Sequence, residues 1–334
     1  MTKQRVSWAL SLLLAVAAVF VVGGPAPAWG AAPVELKWYQ PEPAGHPWTD
    51  VGQIICDEVG KKSDGRLKLV QYPAGALGTQ AQAVDMLRMG SLAVLTSGPS
   101  ILNAFDENVQ VFSAPYLFRD REHAYKAFDL PWVQMLFNDT VLKKSGVRTI
   151  AFWYFGERNL TTKTRAVMKP EDLKGAKIRS MDIPVWKNVV ASLGANPTPV
   201  SFTELHMALQ TGVVEGQENP IPTIHAQKFY EVQNYIILTR HVVHLGTVHV
   251  SEQIWQRLSE ADRRLILDVF ARYRPEIDKR MDEKIESATK EMTARGVKII
   301  TPDLDAFKAH AVKQFMGVYG EKWGAIIKEI QAIR

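Results

Sequence analysis

Residues 66–98, RLKLVQYPAGALGTQAQAVDMLRMGSLAVLTSG, predict a strand, a helix and a second strand in direct succession. Short β-rich runs flank GTQAQAVDMLRMG, which has the pattern of an amphipathic helix. The same alternation continues on both sides, with strands in VELKWYQ, RTIAFWYFG and AKIRSM and helices in HPWTDVGQIICDEVGKKSDG, VWKNVVASLGA and FTELHMALQTG. Strands that alternate with helices are typical of α/β domains with largely parallel sheets, so α/β is the predicted fold class.

Residues 259–295 have the pattern of one long helix. Ser259 and Asp262 resemble a capping box, and Gly296 suits the position just past a helix end. An unbroken helix of this length would span roughly 55 Å and would lie across two domains, which the chain length permits. A helix split at Pro275 would instead be ordinary core packing, so both possibilities stay open.

The N-terminal sequence predicts an exported protein. Lys3 and Arg5 precede an apolar run over residues 6–22, and GGPAPAWGAA then supplies small residues with an A-x-A cleavage pattern. The small and helix-breaking residues favour cleavage over a retained membrane anchor. We therefore predict that residues 1–31 are a signal peptide and that the mature chain is exported.

Composition excludes several classes of function. Without residues 1–31, 38 basic residues face 35 acidic ones, and this mild net charge has no basic block that would indicate nucleic acid or a lipid surface. Cys56 is the only cysteine, so no intrachain disulfide can form, and we expect a core residue there. The motifs G-x-S-x-G, H-E-x-x-H, C-x-x-C, G-x-G-x-x-G and the P-loop are all missing from the sequence, which favours a binding protein without a cofactor over an enzyme.

Three histidines in RHVVHLGTVHV, residues 240–250, raise the question of a metal site. The spacings of His241, His244 and His249 are poor for one helix face, and no cysteine is nearby. We therefore interpret them as polar positions of a strand and predict no metal ligands.

Polar side chains cluster at the predicted carboxyl ends of strands, where open α/β sheets bind ligands. Arg158 follows RTIAFWYFG, Arg179 lies near the end of AKIRSM with Met181 after it, and Ser97 ends SLAVLTSG. A guanidinium group matches a carboxylate or phosphate with two parallel hydrogen bonds. Each arginine could instead pair with a neighbouring acid, but two of them at successive strand ends, near an aromatic run that includes Trp153, favour an anion site.

Several motifs together resemble one known family. GHPWTDVGQ, YPAGALG, EDLKGAKIRS, ASLGANPTPVSFTEL and LQTGVVEGQENPIPTIHAQKFYEVQ occur in the order seen in the periplasmic substrate-binding subunits of TRAP (tripartite ATP-independent periplasmic) transporters. The resemblance extends from about residue 35 to the C-terminus. GQENP downstream of LKGAKIR is its most specific part.

The resemblance implies two α/β lobes joined by hinge strands, with the long helix bracing both. We expect residues 33–155 and 245–284 in lobe I, and residues 156–244 and 285–334 in lobe II. It also implies roles for individual side chains at the cleft between the lobes. Arg179 corresponds to the principal partner of a substrate carboxylate, Arg158 to a second cleft arginine, Asn219 to an amide that helps to hold the carboxylate, and Phe202 to an aromatic ring against the ligand.

In GVVEGQENP, residues 212–220, the two glycines are expected to shape a turn that lets Asn219 face the cleft. Gln217 and Glu218 are expected to secure this loop.

The ligand implied is a small organic acid, and the partners implied are the membrane subunits of a TRAP transporter. The family's sialic-acid binders carry acidic residues where this chain has Thr79, Gln80, Ser97 and Gly98. A polyhydroxylated sugar acid is therefore disfavoured, and the aromatic residues near Trp153 favour a small mono- or dicarboxylate. A secreted enzyme acting on organic acids and a binding module of a sensor are the alternatives. We expect a monomer.

Overall fold

The computed structural model describes residues 33–334, so the predicted signal peptide lies outside the described residues. The strands of this part of the chain are β1 (Val34–Tyr39), β2 (Leu67–Tyr72), β3 (Val94–Ser97), β4 (Val147–Thr162), β5 (Lys177–Ser180), β6 (Asn196–Pro199), β7 (Gly216–Pro220), β8 (Tyr235–Ser251) and β9 (Lys298–Ile300). The helices are α1 (Pro47–Lys62), α2 (Gln80–Arg88), α3 (Arg121–Phe128), α4 (Pro131–Met135), α5 (Leu142–Ser145), α6 (Pro184–Ser192), α7 (Leu205–Thr211), α8 (Ile221–Ala226), α9 (Glu252–Arg257), α10 (Glu260–Arg272), α11 (Arg274–Ala294) and α12 (Leu304–Gln331). Every strand and helix predicted from the alternation has its counterpart here.

All the strands belong to one sheet with the order β2-β1-β3-β8-β4-β7-β5-β6, and β9 pairs with β8. Its first half, β1 to β3, is parallel, and so is its second half, β5 to β7. The predicted α/β class with mostly parallel strands is therefore confirmed.

The two halves are joined by the long strands β4 and β8, which run antiparallel to each other. Their pairing extends from Val147 opposite Ser251 to Thr162 opposite Tyr235, and β8 also pairs with β3 while β4 pairs with β7. Three irregularities interrupt the register, one of them between Tyr154 and Gly156. Such bulges bend a strand and increase its twist. β4 and β8 are thus the strands that connect the two halves of the sheet.

The long helix predicted over residues 259–295 is divided into α10 and α11. The Ser259 side chain caps α10 by accepting from the Asp262 backbone N–H, as predicted, and the division falls at Tyr273, directly before Arg274 and Pro275. The proline ring cannot continue a regular helical hydrogen-bond pattern, which explains the division.

Although the predicted helix is divided, α11 does not pack within only one half of the structure. It contributes side chains to two separate hydrophobic cores. Ile277 and Met281 pack in the core that contains β1, β3 and α1, whereas Ala288 and Met292 pack in the core around α7 and α8. The predicted bridging helix is therefore the 21-residue α11 rather than the whole segment.

The segment GQENP, predicted as a turn, is the buried strand β7. Asn219 is paired with Asn159 and Glu218 with Leu160 on β4. Gly212 does end α7 in a left-handed conformation, with φ +77°. Gly216 has a different function from the one predicted: a Cβ there would lie 2.0 Å from the Thr161 carbonyl oxygen. A glycine is needed at this position because the backbones approach closely, not because the chain turns.

We therefore expect Gly216→Ala to lower the free energy of unfolding by at least about 2 kcal/mol, because the backbone oxygen of Thr161 can only yield by disturbing the β4–β7 pairing. Gly317→Ala is the matched control. Gly317 lies within α12, and apart from the adjacent backbone of α12 itself no described atom lies within 4 Å of the place that an added methyl group would occupy, so alanine should stabilise the protein by about 0.5–1 kcal/mol. Urea unfolding of both variants measures the difference, and equal effects would contradict the steric explanation.

Candidate functional site

A small cavity lies where the carboxyl ends of the parallel strands in both halves of the sheet meet the middle of β4 and β8. This inner cavity has a volume of about 40 Å³. Its polar lining residues are Glu42, Gln80, Ser97, Ser100, Arg158, Arg179, Asn219 and His244. Its other lining residues are Pro41, Trp48, Gly98, Ile101, Phe155, Met181, Ile183, Trp186 and Phe202.

An outer cavity of about 350 Å³ adjoins it and is lined by Gln80, Ile101, Arg179, Met181, Ile183 and Phe202 among others. All six of these also line the inner cavity. The two spaces together can therefore hold a small organic molecule at the strand ends, as the sequence predicted for this edge of the sheet.

Arg158 is fully engaged with protein groups. Its guanidinium binds the Glu218 carboxylate through Nε and Nη2, with Nη2–Oε1 at 2.8 Å, and Nη2 also donates to Asn219 Oδ1 at 2.9 Å. Nη1 donates to His244 Nδ1 at 3.1 Å. Burial by itself would raise the pKa of Glu218, but the charge of Arg158 and the hydrogen bonds from His241 and Arg158 outweigh it and hold that pKa at about 2. The alternative raised in the sequence analysis, that an arginine pairs with a neighbouring acid of the protein, is therefore correct for Arg158.

Arg179 differs from Arg158 in having no carboxylate within 4 Å among residues 33–334. Its Nε donates to the Val200 carbonyl at 2.9 Å, and its guanidinium carbon lies 5.8 Å from the centre of the Phe202 ring. The residue is 2% exposed. Burial and the charge of Arg158 lower the pKa of Arg179 to about 10, against the opposing charge of Glu218, so Arg179 stays charged at neutral pH. A buried charge without a counterion is costly, and a bound anion would relieve that cost.

Six of the seven site residues predicted from the sequence line the inner cavity: Arg179, Arg158, Asn219, Phe202, Ser97 and Met181. Asn219, however, has both ends of its amide occupied, since Oδ1 accepts from Arg158 and Nδ2 donates to Gln217 Oε1 at 2.6 Å. Its observed contacts hold Arg158 in place.

Trp153 does not line the inner cavity. It is fully buried and stacks on Phe270 with ring centres 5.6 Å apart, and Trp38 lies against it as well. Phe155, two residues further along β4, lines the cavity instead and packs 5.3 Å from the His244 ring. Of the aromatic run, the structure thus brings Phe155 to the cavity and places Trp153 in the core.

Two polar lining residues, Glu42 and His244, were not among the predicted site residues. Glu42 follows β1, and His244 lies on β8 opposite Gly156. The carboxyl end of the first strand was a signal for Glu42. Nothing local distinguishes His244 from the other histidines of β8.

The three histidines of β8 all make side-chain hydrogen bonds. His241 Nε2 donates to Glu218 at 3.1 Å, and His249 contacts the hydroxyls of Thr149 and Thr247. Burial lowers the pKa of all three rings. Within residues 33–334, no group of three or more metal-ligating side chains could hold a metal ion.

The chain also resembles known proteins. Residues 40–319 match the family described as bacterial extracellular solute-binding protein, family 7. The sialic acid-binding periplasmic protein SiaP of Vibrio cholerae is 31% identical over 260 residues, which is 77% of this chain and 79% of that protein.

Solved structures are similar as well. A TRAP periplasmic solute-binding protein from Polaromonas sp. JS666 bound to D-erythronate superposes with a TM-score of 0.84 at 29% identity, covering 90% of this chain and 99% of that one. One from Roseobacter denitrificans with bound L-galactonate has a TM-score of 0.84 at 27% identity, covering 89% and 98%. These neighbours confirm the predicted binding-protein fold, while the lobe boundaries stay a prediction.

No helix within residues 33–334 combines the length and apolar character that crossing a membrane requires. The fold, the cavity at the strand ends and the sequence match over most of the chain agree with one another. The protein belongs to the bacterial extracellular solute-binding protein family 7.

Proposed function

We propose that this protein captures a small organic acid in the inner and outer cavities and delivers it unchanged to the membrane subunits of a TRAP transporter. The observation that carries the proposal is the setting of Arg179. It is a buried guanidinium that lines both cavities, and no carboxylate within residues 33–334 pairs with it. A ligand carboxylate there would make charge-assisted hydrogen bonds in a desolvated site.

The relatives support an acid as the ligand. The structures from Polaromonas and Roseobacter denitrificans hold D-erythronate and L-galactonate, and a relative in Escherichia coli is a 2,3-diketo-L-gulonate-binding periplasmic protein. Each of these compounds is a carboxylic acid. Export to the periplasm, a monomeric state and closure of two lobes around the acid complete the proposal.

Binding without chemistry is supported by the hydroxyl groups around the cavity. Ser97 Oγ donates to the Gly98 carbonyl, and Ser100 Oγ accepts from Trp186 Nε1 at 2.8 Å. His244 Nδ1 is occupied by Arg158. The described lining residues thus contain no serine and histidine joined as nucleophile and base.

A thermal-shift screen against organic acids tests the proposal. At least one acid should raise the melting temperature, by an amount that grows with its concentration, because a ligand that binds the folded state stabilises it by mass action. Mass spectrometry after incubation should recover that acid unchanged. Turnover of the acid would support the secreted-enzyme alternative, and a screen without any stabilising acid would contradict the proposal.

A further inference from the structure

Two buried polar atoms among the residues that line the inner cavity have no hydrogen-bond partner: His244 Nε2 and Glu42 Oε2. Buried polar groups are nearly always paired, so two unpaired ones in one small cavity point to a ligand. Both residues lie close to Arg158, which bonds to His244 and whose charge acts on the Glu42 carboxyl.

The proton of His244 is on Nε2. Arg158 Nη1 can only donate, so His244 Nδ1 must accept, and burial keeps the ring neutral by lowering its pKa to about 3. Nε2–H is therefore a fixed donor. Gly98 leaves room beside it, because a Cβ on Gly98 would lie 2.9 Å from His244 Nε2.

Glu42 is 1% exposed, and its Oε1 accepts from Thr223 Oγ1 at 3.3 Å. The groups that face it are Tyr39, His46, Arg158, Thr223 and Gln227, with Lys284 beyond His46. Burial raises the pKa of Glu42 to about 8, against the hydrogen bonds from Thr223 and Gln227 and the charge of Arg158. Glu42 is therefore mainly protonated at neutral pH and can both donate and accept.

Among the charged side chains that line the inner cavity, one positive charge has no counterion. The charged lining residues are Glu42, Arg158 and Arg179. Arg158 is neutralised by Glu218, Glu42 is neutral and His244 is neutral, so Arg179 alone remains.

We infer that the protein selects acids with a single carboxylate and a neutral oxygen, either hydroxyl or carbonyl, over dicarboxylates. The carboxylate binds Arg179, and the neutral oxygen binds His244 Nε2–H and the Glu42 carboxyl. This inference rests on the proposed function and specifies its ligand class: a hydroxy or oxo monocarboxylic acid.

Both kinds of neutral oxygen give the two unpaired atoms a partner. Because Glu42 Oε1 accepts from Thr223, the proton of the neutral carboxyl is on Oε2, and a carbonyl or hydroxyl oxygen of the ligand can accept from both His244 Nε2–H and Glu42 Oε2–H. A second carboxylate would be buried without a second free cation and would face the Glu42 carboxyl, which is unfavourable.

Matched acid pairs that differ only in one terminal group test the charge selection by calorimetry at pH 7. Suitable pairs are D-erythronate with meso-tartrate, L-galactonate with galactarate, and 2-hydroxybutanoate with malate, together with the best acid of the thermal-shift screen. We expect the monoanion to bind at least about ten-fold more tightly, equivalent to about 1.4 kcal/mol. A dicarboxylate that binds as tightly, or that is itself the best acid, overturns the inference and leaves acid capture standing. Absence of binding by every acid overturns both.

Two variants test the assigned role of His244 and the charge balance of the inner cavity. Gly98→Ala, at a position with an ordinary negative φ of −88°, covers His244 Nε2 and should reduce the preference for the hydroxy or oxo acid over its deoxy counterpart at least about five-fold. Gly317→Ala should not reduce it. Gln80→Arg adds a cation at a partly exposed lining position and should raise dicarboxylate affinity relative to monocarboxylate affinity. Unchanged preferences in both variants would contradict the assignment.

The pH profile separates Glu42 from a merely structural role. Affinity for the monoanion should fall as the pH rises through about 8, because ionised Glu42 then repels the ligand, while Arg179 stays charged below about 10. Glu42→Gln should remove this fall between pH 7 and pH 9. An identical profile in the variant would show that Glu42 does not face the ligand.

Discussion

Arg179→Ala is expected to weaken binding of the captured acid by about 30-fold to 1,000-fold, which corresponds to about 2–4 kcal/mol. The reason is that the ligand carboxylate would lose its charge-assisted donors in a site where water cannot replace them. The other cavity arginine cannot compensate, since Arg158 is already bound to Glu218, Asn219 and His244. Calorimetry with the best acid of the thermal-shift screen measures the loss.

Two further variants make this result specific. Arg179→Lys keeps the charge but lacks the planar fork, so it should recover only part of the affinity. Arg165→Ala removes an arginine that lies outside both cavities and pairs with Glu215, and it should bind like the unmodified protein. Undiminished affinity in Arg179→Ala would contradict the central assignment.

Arg158→Met is expected to lower the free energy of unfolding by about 3–5 kcal/mol. Methionine fills similar volume but leaves the Glu218 carboxylate buried at 1% side-chain exposure without its counterion. The folded-state pKa of Glu218, about 2 with Arg158 present, should rise as a result. Since a depressed carboxylate pKa contributes stability above the unfolded value of 4.5, the loss should be fully present at pH 7 and should shrink as the pH falls below 4.5.

The matched control is Arg165→Met. The side chains of Arg165 and Glu215, which form an ion pair, are 38% and 32% exposed. Removing this pair should therefore change the free energy of unfolding by less than about 1 kcal/mol. Urea unfolding of both variants at pH 7 and pH 4 gives the comparison. Similar losses in the two variants would show that burial of the Arg158–Glu218 pair is not what makes it important.

Much of the fold was predictable because local pattern and tertiary structure agree. The alternation around residues 66–98 gave β2, α2 and β3 in their observed positions. The rule that ligands bind beyond strand ends placed Ser97, Arg158 and Arg179 around one cavity. Both predictions depend on periodicity and chain direction, which a single sequence contains.

The errors arose where long-range pairing decides the outcome. The glycines and proline of GQENP are typical of a turn, yet β4 and β5 recruit the segment into the sheet as β7. Trp153 and Phe155 have the same local character, and it is tertiary packing, with Phe270 and Trp38 against Trp153, that places Trp153 in the core and leaves Phe155 at the cavity. Likewise, the partner of each arginine depends on which strands are neighbours, so the strand pattern by itself did not distinguish Arg158 from Arg179, and only the family resemblance gave them different roles.

The Arg158–Glu218 pair is built from adjacent strands in the middle of the sheet, whereas Glu42, Gln80 and Gly98 reach the cavity from the segments after strands β1, β2 and β3. The central pair therefore belongs to the sheet itself, whereas those positions lie in the segments that follow its strands. Over evolutionary time, such a chain can come to bind a different acid through substitutions at these few positions, while the sheet and its central ion pair stay the same. Relatives that share this architecture and hold different acids are what such a history would leave behind.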